Sequence, residues 1–75
     1  MEEKQLRALI ADAADSVVAN EFTETQIQSR AAEWQKAVPN ATLAEATTYV
    51  LAENRAFTEA LLAQVLAKMT KSAQD

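Results

Sequence analysis

Apolar residues recur along this chain at spacings of three and four, the period of helices that turn one face inward. Leu6, Leu9, Ile10, Ala13 and Val17 form the first such stripe, with Arg7, Asp12 and Asp15 on the opposite side. The stripe predicts a helix over about residues 2–20. Glu2 and Glu3 suit the positive end of its dipole, and the pattern stops at Asn20-Glu21. Val18 lies off the stripe, which does not account for it.

Two independent devices mark the start of a second helix within Phe22-Thr23-Glu24-Thr25-Gln26-Ile27. Thr23 with Gln26 three residues later is the capping-box spacing, in which each side chain satisfies a backbone N–H of the other. Phe22 before the cap and Ile27 at the fourth helical position have the spacing of a hydrophobic staple. The predicted helix covers about 24–37, with Ile27, Ala31, Trp34 and Val38 along one side. Pro39 ends it by steering Val38 towards an extended conformation.

Thr42 and Glu45 repeat the capping-box spacing and open a third helix. Neither glycine nor proline follows, so this helix is expected to run from 43 to about 70, with 72–75 as a frayed tail. Lys68 and Lys71 suit its negative end. At 100° per residue Val50, Leu51, Phe57, Leu61, Val65 and Met69 share an apolar arc, which widens through Leu62 and Leu66 in the C-terminal half. A helix with one neighbour needs a stripe of only about 100°. The wider arc predicts contact on two sides, with the first two helices on one and a second copy on the other. The competing arrangement places this helix at the centre of its own three-helix core.

Composition narrows the architecture to small and all-α. The 75 residues include no glycine, no cysteine and no histidine, so the positive-φ turns of hairpins and phosphate loops lack their usual residue. A domain of this size hides only about 60% of the surface its unfolded chain exposes. Disulfides and zinc, the common remedies, need residues this chain does not have, which leaves oligomerisation. The large side chains Phe22, Trp34, Tyr49, Phe57 and Met69 are the expected core, together with leucine, isoleucine and valine.

Charge and hydropathy bear on partners. A net charge of −4 with dispersed basic residues argues against a nucleic-acid backbone, which demands clustered Lys and Arg. The helix-turn-helix reading of residues 23–52 fails on the same ground, because Leu43 to Thr48 carry one acid and no base. No apolar run approaches the roughly 20 residues of a membrane span, and the N-terminus lacks the pattern of a secretory signal. A cytoplasmic protein is the expectation.

The candidate chemistry is sparse. Serines and threonines have no histidine base, and Asp12 with Asp15 lack the further converging oxygens a cation needs. No catalytic, cofactor-binding or metal residues are assigned, and an enzyme is not expected. Asn54 sits within the apolar arc of the third helix. It either pairs across an interface and fixes register there, bonds within its own subunit, or reaches solvent at the edge of the bundle. Leu62, Leu66 and Met69 are the candidate self-association residues. Tyr49 falls on the polar side of the same helix and, with Asp12 and Asp15, is a candidate partner contact. Arg55 and Glu59 have the spacing of an ion pair.

These readings predict a three-helix domain that acts as a non-catalytic protein–protein interaction module, homodimeric through the C-terminal half of its long third helix. The alternative is a small acidic antagonist or regulator, of the immunity or anti-repressor type, that covers a basic surface on a protein partner.

Overall fold

A computed structural model describes residues 2–74. It contains three helices and, among the described residues, no strand: α1 (Glu3–Glu21), α2 (Glu24–Ala37) and α3 (Leu43–Gln74). The tail expected over 72–75 falls outside the residues whose side chains are described.

Both predicted capping boxes are formed. The Gln26 N–H donates to Thr23 Oγ1 at 3.2 Å, and the Thr23 N–H donates to Gln26 Oε1 at 3.1 Å. At the start of α3 the Glu45 N–H donates to Thr42 Oγ1 at 3.1 Å, and the Thr42 N–H to Glu45 Oε1 at 3.0 Å. Val38 leaves the helical region with φ −130° and ψ 71°, as a residue before proline should. The start of α1 carries a device the sequence reading missed: the Glu2 N–H donates to the Gln5 side chain at 3.2 Å. Its signal was an acid where Ser or Thr is the usual cap.

Side-chain pairs fix how the helices lie. Phe22 meets Phe57 edge to face with centroids 5.3 Å apart, Arg30 meets Glu53, and Trp34 stacks on Tyr49 at 4.8 Å. As the first partner advances, the second retreats. Val17 lies further along the same register, lining a cleft with Ala60, Ala63 and Ala67. Thus α1 covers the C-terminal half of α3 and α2 covers the N-terminal half, both antiparallel to it and end to end. The molecule is a helical hairpin whose first arm is broken at Phe22-Thr23. Its long dimension, 52 Å, is little more than the ~48 Å length of α3 itself.

This shape leaves a thin core. The Cα radius of gyration is 15.9 Å, against about 11 Å for a compact domain of this length. Among the described residues only Ala13 and Val17 are buried, at 0% and 2% exposure. The large side chains expected to form the core are partly covered and none is fully buried, because two arms make one seam and no centre. Alanines in that seam let α1 approach α3 closely, while Trp34 and Tyr49 stand between α2 and α3. Small residues therefore hold the most buried positions.

The break between α1 and α2 depends on the Thr23 cap, so Thr23→Ala is expected to lower stability by about 1 kcal/mol. An unchanged midpoint in chemical denaturation would show that the cap does not contribute.

Candidate interaction surface

Helix α1 ends without glycine, so its last carbonyls lack the usual C-terminal closure. Side chains of α2 supply it. Gln26 Nε2 donates to the Asn20 carbonyl at 2.9 Å, and Arg30 Nη1 donates to the Glu21 carbonyl at 2.7 Å. The arginine brings a positive charge to the negative end of the α1 dipole. Its guanidinium carbon also lies 4.6 Å from the Phe22 ring centre, within cation–π range.

The same side chain reaches α3. Arg30 Nε donates to both Glu53 carboxylate oxygens at 3.2 Å. Its Nη2 is buried and stands 3.1 Å from Glu53 Oε2, yet makes no hydrogen bond of acceptable geometry, so that contact is Coulombic alone. One arginine thereby joins the end of α1, the body of α2 and the middle of α3. The sequence spacing gave no hint of this pairing, since its partners lie 9 and 23 residues away.

Tyr49 occupies a different place from the one its helical phase predicts. It is half-buried, stacked on Trp34 with an interplanar angle of 23°, and not on an outer polar side. The apolar arc was centred on the face that α2 leaves open, so the seam with α2 fell outside it. Desolvation raises the Tyr49 pKa above its ordinary 10.0; the Glu53 carboxylate adds to the rise, and Arg30 opposes it.

Beside this junction a groove of about 390 Å³ opens to solvent, lined by Val18, Phe22, Ile27, Val50, Asn54 and Phe57 among others. Val18, unexplained by the α1 stripe, has its place here. Asn54 is exposed and sits in the groove wall. Leu62, Leu66 and Met69 continue along α3 with 55%, 61% and 38% of their surfaces exposed. Groove and leucines thus border one open flank of the hairpin, about a third of a turn round α3 from the seam.

The acidic candidates stand apart from that flank. Asp12 and Asp15 are both exposed on α1. Neither forms an ion pair among the described residues, whereas Glu3, Glu33, Glu53 and Glu59 are paired with Arg7, Lys36, Arg30 and Arg55. Among the described residues no three acidic side chains converge as a cation site, and no helix is long and apolar enough to cross a membrane. No protein-family model, curated protein or solved structure matches the chain.

Tyr49 is the single tyrosine, so its ionisation can be followed by absorbance. The titration midpoint is expected above 10.0, with folding stability undiminished below pH 10 and declining as the unfolded state ionises first. Arg30→Met removes the charge that lowers this pKa, so it should move the midpoint further up. A midpoint that falls on this substitution would contradict the junction geometry.

Proposed function

We propose that this protein is a non-catalytic interaction module that self-associates through the C-terminal half of α3. The observation that carries the reading is a hairpin with an uncovered apolar flank. The chain exposes 5879 Å², whereas a compact monomer of 8.2 kDa exposes about 4,500 Å². The excess is larger than the roughly 800 Å² each partner contributes to a standard interface. Leu62, Leu66 and Met69 hold part of this surface, and each such side chain contributes about 1.5–3 kcal/mol when fully buried. Asn54, at the border of the same flank, offers an amide that favours one register over its neighbours.

A second reading rests on the unpaired Asp12 and Asp15. They point to an acidic antagonist or regulator that covers a basic protein surface, with electrostatic steering of its association. The two readings use opposite parts of the molecule.

Leu62→Glu combined with Leu66→Glu is expected to convert a dimer into a helical monomer, read by light scattering after size exclusion. Asp12→Lys with Asp15→Lys should leave the dimer intact. A wild-type protein that is monomeric at concentrations of hundreds of micromolar would overturn self-association; a dimer lost only in the aspartate variant would move the interface to α1.

A further inference from the structure

Three exposed apolar side chains of α3, Leu51, Leu62 and Met69, fall on one line along the helix. Leu51 and Met69 are separated by about five full turns, which returns to the same angle, and Leu62 lies within about 20° of them. Leu66 and Arg55 border this line on one side. The residues through which α3 meets the other arm, among them Tyr49, Glu53 and Phe57, lie on the far side of the helix. A second helix can therefore lie along the line without displacing α1 or α2.

We infer that this second helix is α3 of another copy of the chain, laid antiparallel about a two-fold axis at the level of Ala60. The inference rests on the self-association reading and specifies the line and direction of contact. It extends the seam from the C-terminal half of α3 back to Leu51. The area that the single chain leaves uncovered is enough for one standard interface.

The symmetry decides which residues meet. A two-fold axis between antiparallel helices keeps each residue on its own side of the seam, so two residues face each other only at similar angles and at matching distances on opposite sides of the axis. Leu51 and Met69 satisfy both conditions, since each lies nine residues from Ala60. The two Leu62 side chains share one side of the seam and stand about 6 Å apart along it, in contact across the axis. Leu66 and Arg55 lie on the same border, six and five residues from Ala60 in opposite directions. The aliphatic stem of each Arg55 thus covers Leu66 of the other copy, which gives a charged residue beside an apolar line a role in the packing.

Charge selects both the direction and the register. A parallel pair sets every residue against its own counterpart, so Arg55 would meet Arg55. The antiparallel pair opposes the helix dipoles and holds the two arginines about 15 Å apart along the seam, beyond a Debye length of about 8 Å. Sliding the copies by a heptad preserves the facing lines but loses these gains. In one direction the two Arg55 side chains come to about 5 Å from each other along the seam. In the other, Leu51 passes Gln74, where the opposite α3 ends, and is left uncovered.

The absence of native cysteine permits a test by single-cysteine oxidation on the full chain. Disulfides form only between Cα atoms within about 7 Å. Leu51→Cys and Met69→Cys are each expected to stay uncrosslinked alone and to form a covalent heterodimer when mixed. Covalent homodimers of the two variants would establish parallel packing and overturn the inference while sparing self-association. A heterodimer of Leu51→Cys with Leu62→Cys in place of Met69→Cys would overturn the register. A second arm leaves the apolar line intact: a nitroxide on Thr48→Cys, read by pulsed electron paramagnetic resonance in the dimer. Antiparallel packing predicts a separation above about 35 Å, because the two labels lie at opposite ends of the seam. A separation within about 20 Å would overturn the direction, and a monomeric wild type would remove the reading on which the inference rests.

Discussion

The arrangement of the three helices depends on Arg30. Its guanidinium closes the C-terminal end of α1, covers the Phe22 ring and meets the Glu53 carboxylate of α3. No glycine was available to end α1, so a side chain from the next helix assumes that role. The consequence is geometric. With the Glu21 carbonyl and Glu53 both tied to one residue, α2 continues along α3 beyond the end of α1, and a third layer does not form. The ion pair itself is only partly shielded, with 37% and 28% of the two side chains exposed, so its direct contribution to stability is modest. Its importance lies in setting the direction of the chain.

That direction explains the thin core. Two arms in one layer each have a covered side, and the rest of their surface faces solvent. Alanine at the α1–α3 seam allows close approach but contributes little apolar area, so Ala13 and Val17 are buried while the leucines of α3 are not. A third layer from outside would resolve the imbalance. In the proposed function that layer is another copy of the chain, which makes folding and association parts of one equilibrium.

The helices were legible in the sequence because their ends are specified locally. Thr23 with Gln26, Thr42 with Glu45, and Pro39 each act over three or four residues, and all three boundaries appear where those signals place them. The wide apolar arc of α3 likewise anticipated the exposed Leu62 and Leu66. What periodicity did not reveal was the layout in space. Nothing local distinguishes a three-helix core from a broken arm, since the difference is made by Arg30 across 23 residues. Tyr49 was misplaced for the same reason: its helical phase describes α3 alone, and its position in the seam depends on where α2 lies. Asn54 and Val18 acquired a shared setting only when the groove brought α1 and α3 together.

The central claim is that the open flank is completed by a second chain, and the concentration dependence of thermal unfolding tests it most directly. A fold coupled to dimerisation must gain stability by mass action, so the midpoint is predicted to rise steadily as protein concentration increases about a hundredfold. A midpoint independent of concentration across that range would contradict the account, for it would show that no second chain stabilises the folded hairpin by covering its apolar flank.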